Sequence, residues 1–225
     1  MPTGYFITLE GGEGAGKTTL LTHLARKLET LGHPTLTTRE PGGTPLGNIL
    51  RQLLLESDRL APTTELLLYA ADRAEHVSQT IQPALNGGKI VLCDRYTDST
   101  VAYQGYGRQL DLDLIQQLNQ IATCGLAPHL TFWLDLPVET GLKRAGDRAK
   151  NMGQSLDRLE QTPLDFHHRL HHGFRQLAEQ NGDRIARLDA TQPPDCLATA
   201  AWVLLTTRWP ELAQTAQSRS TPAQP

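Results

Sequence analysis

The sequence predicts an α/β fold of three layers, a five-stranded parallel sheet flanked by helices on both faces, and three observations carry that expectation. Five short β-rich apolar runs alternate with longer stretches of helical periodicity along the 225 residues. Strands separated by helices must be joined by crossovers, which makes their sheet parallel and covers both of its faces. The chain also opens with a strand, a glycine loop and a helix in that order, and it carries no repeat, heptad array or linker that would divide it.

Taken in order, the strands are Tyr5–Leu9, Thr35–Thr38, Ile90–Cys93, Leu130–Leu134 and Arg184–Leu188. The first helix, Lys17–Leu31, has Leu20, Leu21, Leu24 and Leu28 at helical spacing and stops at Gly32. A long helical segment over Thr63–Leu85 is broken by Asn86-Gly87-Gly88 before the third strand. Further helices are expected over Leu112–Thr123, Val138–Arg148, Thr162–Glu179 and Asp195–Thr207, with Pro137 suited to a first turn. Gly146–Ser155 is polar, contains glycine and is weakly periodic, so it reads as a mobile loop. Residues 1–212 are expected to form one domain with a lid at about 146–158. Residues 213–225, rich in Ser, Thr, Pro and Gln, read as a disordered tail.

Hydrophobic residues make up 39% of the chain, lean but adequate for a single core at this length. A net charge of −3 and a pI of about 6.2 leave no global positive field to gather a nucleic acid, so any phosphate must be bound locally. Cys93, Cys124 and Cys196 are odd in number, far apart and form no C-x-x-C pair, which suits a reducing compartment rather than a disulfide framework or zinc site. No apolar run approaches the roughly 18 residues of a membrane span, and a cytoplasmic protein is expected.

Chemistry enters at Gly11-Gly12-Glu13-Gly14-Ala15-Gly16-Lys17-Thr18, which matches G-x-x-x-x-G-K-[ST] at every fixed position, after a strand and opening a helix. Glycines let successive N–H groups converge on phosphate oxygens, and the helix N-terminus adds partial positive charge. Lys17 then supplies a point charge at the β- and γ-phosphates, and the Thr18 hydroxyl can ligate Mg²⁺. Asp94, ending the third strand, is placed to support the same metal, although an aspartate there could also merely cap the next segment. The fold is therefore expected to be that of the P-loop NTPases. The N-K-x-D base-reading motif of GTPases is absent from the sequence, and the compact chain with arginines near strand ends suits a small-molecule kinase better than a motor ATPase.

Thr38-Arg39-Glu40-Pro41-Gly42-Gly43-Thr44, Asp94-Arg95-Tyr96 and Leu156-Asp157-Arg158-Leu159-Glu160, together with the phosphate loop, resemble the signature set of bacterial thymidylate kinases, from about Tyr5 to Trp209. The resemblance implies ATP as phosphoryl donor, Mg²⁺, dTMP as acceptor and a homodimer. It places ATP on Gly11, Gly12, Glu13, Gly14, Ala15, Gly16, Lys17, Thr18 and Thr19, and metal on Thr18 and Asp94. Arg39 and Arg95 resemble the arginines that hold the acceptor phosphate, which a guanidinium grips bidentately. Tyr69 and Arg73 resemble a pair that stacks on thymine and reaches its carbonyl edge, their i,i+4 spacing placing both on one helix face. Thr100, Tyr103 and Gln104 are the implied contacts to base and sugar, and Glu13 the acid close to the sugar 3′-hydroxyl and the transferring phosphate, which could orient the nucleotide sugar or hold Mg²⁺ through water.

Family members carry a catalytic arginine either in the phosphate loop or in the lid over ATP. Ala15 occupies the variable loop position, so the lid is expected to supply it. Arg148 and Arg158 are favoured, with Lys150 third and Arg144 also in range; Lys17, Arg95 and Glu13 complete the expected catalytic set. Two other readings stay open on the residues alone: a kinase for another nucleoside monophosphate or for a nucleoside, and a nucleotide-binding regulatory module that recognises a protein.

Overall fold

The computed structural model describes residues 4–57, 59–153 and 155–216. Five strands, β1 (Phe6–Glu10), β2 (Thr35–Arg39), β3 (Ile90–Asp94), β4 (Leu130–Asp135) and β5 (Ile185–Asp189), form one parallel sheet in the order β2-β3-β1-β4-β5. Each strand ends on a charged residue, namely Glu10, Arg39, Asp94, Asp135 and Asp189. The carboxyl edge of the sheet is thereby lined with ionisable groups. Connections leave the neighbouring strands β1 and β3 in opposite directions, which opens a crevice between their ends.

Strand alternation sends Ile7, Leu9, Leu92, Phe132 and Leu134 to one face. There they pack against Leu20, Leu24 and Leu28 of α1 (Lys17–Thr30) and Leu197, Ala201 and Leu205 of α9 (Pro194–Arg208). Each such leucine contributes about 2 kcal/mol relative to exposure, far more than helix propensity does. Phe6, Val91, Cys93 and Trp133 face the other way, where α4 (Gln82–Asn86) and α8 (Leu164–Gln180) cover them. α6 (Leu112–Thr123) runs as expected, and α7 covers Val138–Asn151.

The structure refines several of these expectations. The segment Thr63–Leu85 is helical throughout, as expected, but not uniformly α: α3 (Pro62–His76) passes through a wide π turn, Val77–Ile81, into α4. Pro83 has no N–H to give the carbonyl of Gln79 and its ring crowds that carbonyl, so the backbone widens where the α-helical bond cannot form. Gly146–Ser155 is not a free loop, because α7 continues through its first half to Asn151; Gln154 lies outside the described residues. Past the expected boundary at 212, Ala216 N–H donates to Leu31 O; of the expected tail, 217–225 lie outside the described residues. A further helix, α2 (Pro45–Glu56), was not foreseen, though Thr44 accepting from Gly47 N–H at 2.9 Å and Pro45 in the first turn are ordinary start signals. Ser99–Gln104 likewise lies in a helical stretch, α5 (Thr97–Thr100) followed by a π segment, Val101–Gly107.

Candidate active site

The phosphate loop is strained where it must be. Gly14 stands at φ +66°, and a Cβ there would lie 2.2 Å from Gly141 O; Gly11 stands at φ +142°, where a Cβ would lie 2.7 Å from Leu134 O. α1 begins at Gly16 without a side-chain cap and without an acid in its first turn, so its leading N–H groups stay open to an anion. Lys17 folds back to donate from Nζ to Gly11 O (3.0 Å) and Gly12 O (2.8 Å). Burial, and next the positive Arg95, bring the Lys17 ammonium down to about 8. Ala15 is buried in the core beneath the loop and faces no space for a long cationic side chain.

Thr18 Oγ1 donates to Asp94 Oδ2 at 2.9 Å, while Asp94 Oδ1 is buried with no partner among the described residues. A hydroxyl beside a half-satisfied carboxylate is an oxygen set that suits a hard divalent cation. No group of three or more His, Cys, Asp or Glu side chains among the described residues is arranged to hold one, so water and phosphate oxygens would complete the shell.

Arg95 adopts φ +73°, rare for a non-glycine residue, and its surroundings hold it there. Its own N–H donates to Leu9 O, the next N–H, of Tyr96, to Glu10 Oε1, and Ser99 Oγ donates to Glu10 Oε2. Burial, and next the negative Asp98, push the Glu10 carboxyl upward. The Arg95 guanidinium then reaches Glu13 Oε1 (2.8 Å), Gly11 O (3.1 Å) and Ser99 Oγ (3.3 Å), over the Tyr103 ring. Tyr103 Oη also donates to Glu13 Oε1. Burial alone would raise the Glu13 carboxyl, but Arg95, Lys17 and Tyr103 outweigh it and hold it at about 2. Glu13 is a fixed anion rather than a base poised to titrate.

Arg39 and Asp94 are register partners on adjacent strands, which brings an exposed guanidinium beside Arg95. Arg51, on the unforeseen α2, joins them: it donates to Pro41 O (3.0 Å), and burial and then Arg39 depress its guanidinium. Three arginines thus line one stretch of the cleft.

Arg73 is buried and fully engaged on three sides. Its Nε donates to Glu40 Oε2, its NH1 to Thr100 Oγ1 and Asn119 Oδ1, and its NH2 to Tyr96 O, at 2.8–3.1 Å. Four bonds leave roughly one of its five N–H groups for anything else. Glu40 also holds His76 Nδ1 at 2.9 Å, so the acid after β2 pins the arginine of α3. Tyr69 and Gln104 line the same cleft, with burial pushing the Tyr69 phenol upward. Asn119, Glu40, Glu10 and Arg51 were missed by sequence reasoning; only the T-R-E-P string contained a signal, and for Glu40 alone.

In the stretch expected to form the lid, Arg148 of α7 lines the cleft with its side chain 53% exposed, and meets Glu160 Oε1 at 2.5 Å. Arg144, also on the cleft, donates to Ala190 O (3.2 Å), and Lys150 is exposed without lining it. Arg158 departs from its expected place. Its NH1 pairs with buried Glu65 at 2.6 Å, its Nε and NH2 both donate to Leu54 O, and it does not line the cleft.

The cleft as a whole measures about 1140 Å³, beyond the roughly 300–1,000 Å³ of a pocket for one small molecule. A phosphate loop at one end and an arginine-lined compartment at the other, on this strand order, define a two-substrate P-loop kinase. The thymidylate kinase family model matches residues 9–201, and the chain belongs to that family. It is 56% identical over 205 residues to thymidylate kinase of Synechococcus sp. (strain JA-2-3B'a(2-13)), covering 91% of this chain and 96% of that one. Against thymidylate kinase of Thermosynechococcus vestitus it is 56% identical over 209 residues, covering 88% and 85%. The crystal structure of thymidylate kinase from Ehrlichia chaffeensis superposes with a TM-score of 0.74 at 34% identity, over 91% of this chain and 99% of that one.

Proposed function

We propose that the protein transfers the γ-phosphoryl group of ATP to dTMP, giving dTDP and ADP, a step toward dTTP. The observation that carries the reading is the single cleft with a phosphate cradle facing an arginine cluster, in a chain of this family. A phosphate oxygen of dTMP attacks the γ-phosphorus as the bridging oxygen leaves with ADP. That oxygen is already anionic, so no base is needed and the protein's task is positioning and charge compensation. Lys17 and the open start of α1 hold the β- and γ-phosphates; Arg39, Arg51 and Arg95 hold the acceptor phosphate, and Glu13 orients the acceptor sugar. Tyr69 stacks on the base, and Arg73, Thr100, Tyr103 and Gln104 enclose it. Mg²⁺, held by Thr18 and supported by Asp94, supplies neutralising charge when bound. The bound Glu10–Tyr96 and Glu10–Ser99 contacts keep Arg95 in register with both substrates.

A coupled assay with dTMP, dUMP, CMP, GMP and AMP in parallel tests the reading. We expect dTMP to be the best acceptor and dUMP to be used about 10–200-fold less well, because one methyl group is worth only about 1–3 kcal/mol. Fastest turnover of CMP, GMP or AMP would move the assignment to another nucleotide, and no turnover of any would favour a regulatory module.

We further propose a homodimer in the cytoplasm. α3 packs between α2 and α6, and these helices expose Leu46, Ile49, Leu53, Leu67, Leu112, Leu114 and Ile121. Unpaired Cys93, Cys124 and Cys196 suit a reducing compartment. Sedimentation at micromolar concentration should give twice the chain mass, and Ile121→Glu should shift it toward one; a monomeric parent chain would refute the dimer. No helix among the described residues is long and apolar enough to cross a membrane.

A further inference from the structure

Glu65 lies in the first turn of α3, outside the phosphate and arginine compartments, with its side chain wholly buried. Four donor atoms from three side chains meet on it, two of those side chains on the π segment and its cap and one at the far end of the expected lid. Gln104 Nε2 of the π segment donates at 2.7 Å, Arg108 donates through Nε (3.3 Å) and NH2 (3.1 Å), and Arg158 NH1 closes from the lid end at 2.6 Å. Burial pushes the Glu65 carboxyl upward, but the bonds from Arg108, Gln104 and Arg158 outweigh it and hold it ionised. We infer that Glu65 is a positioning residue which sets the orientation of the Gln104 amide in the base compartment and anchors the returning end of the lid on the same carboxylate.

An ionised carboxylate can only accept hydrogen bonds, so Gln104 must turn its NH2 toward Glu65. Its carbonyl oxygen is then the group left for the cleft, which Gln104 lines. An acceptor fixed there suits a base with a ring N–H, as thymine has at N3, and not one with a bare ring nitrogen, as cytosine has. Discrimination thus begins one residue behind the contact. The second leg is mechanical. Arg158 spans Glu65 and Leu54 O, tying the turn after the lid to α3 and to the last turn of α2. A lid can close repeatedly on one geometry only if its base is held. Packing glue alone would need neither the forced amide orientation nor a second arginine.

This inference rests on the dTMP kinase reading, and the experiment separates the two. Turnover of dTMP by the parent enzyme judges the kinase reading; ratios of variant to parent, taken with whichever acceptor the parent prefers, judge Glu65. Glu65→Gln keeps the size and removes the charge, and either amide may then flip. We expect KM for dTMP to rise about tenfold, the preference for dTMP over dCMP to narrow by about tenfold and kcat to fall about tenfold, the scale of a lost charged hydrogen bond. Arg158→Met releases only the lid leg, so kcat should fall about tenfold with KM for dTMP within about twofold. A Glu65→Gln enzyme that melts earlier but keeps the parent's KM and pyrimidine preference would overturn the inference. Should that variant not fold, Arg158→Met decides, and a kcat within about twofold of the parent's would overturn it.

Discussion

Replacing Lys17 by alanine is expected to lower kcat/KM by about 10³, some 4 kcal/mol of transition-state stabilisation, while leaving the fold intact. The ammonium folds back onto the loop and, among the described residues, bonds the carbonyls Gly11 O and Gly12 O, which a triphosphate would replace with oxygens of far greater negative charge. Its depressed pKa, about 8, reflects a site built around a charge that burial and Arg95 disfavour until an anion arrives. Removing it should therefore affect turnover and ATP affinity more than stability. Arginine should not restore activity, since a planar fork cannot occupy the place of a compact point charge between two carbonyls. Initial rates with saturating dTMP and varied ATP–Mg²⁺ check the effect, and melting temperatures check the fold. A Lys17→Ala enzyme within about tenfold of the parent would remove the phosphate loop from the mechanism.

That loop is legible in the sequence because its chemistry is local. Eight consecutive residues fix a backbone shape, and the strand before and helix after follow from apolar spacing alone. The five strands were equally legible, each only one residue off at most ends. The residues that slipped outside the expected strand limits, Glu10, Arg39, Asp94, Asp135 and Asp189, are charged, so a hydrophobic reading stops just before them. Two of them, Arg39 and Asp94, line the cleft.

What escaped is what depends on distant partners. Arg51 sits on α2 among Gly47, Leu50, Leu54 and Leu55 on its covered face, while Leu46, Ile49 and Leu53 face outward, so apolar residues on both faces blur its periodicity. Asn119 looks like any polar residue of α6 until Arg73, 46 positions earlier, is brought to 2.8 Å. The π turns cannot be heard in apolar spacing, because they shift it by one residue at a point set by Pro83 in one case and by packing on α8 in the other. The partners of Arg158 escape for the same reason: in sequence it is one more basic residue of the expected lid, and its bonds to Glu65 and Leu54 O emerge only in the fold.

Arg148→Ala is expected to lower kcat by about 10³ with KM for ATP and for dTMP within a few-fold, the lower end of the range for an arginine that compensates charge in phosphoryl transfer. Ala15 rules out the loop as a source of that charge, and the cleft-lining cations above it reduce to Arg144 and Arg148. Arg144 is tied to Ala190 O at the end of β5, on the outer side of the sheet's carboxyl edge. Arg148 is half exposed on the last turns of α7 and held by Glu160 alone among the described residues, a partner that an arriving γ-phosphate can displace. Such a contact costs little in the ground state and is replaced by a stronger one as charge develops, so its loss should fall on kcat rather than on KM. Lysine at 148 should recover part of the rate, since it keeps the charge without the fork. Arg158→Ala should cost only about tenfold, acting through lid placement, which makes the ratio of the two effects the informative quantity. Saturating steady-state assays of both variants measure it. Equal losses would return Arg158 to the catalytic set, and an Arg148→Ala kcat within about tenfold of the parent's would pass the role to Arg144 or Lys150.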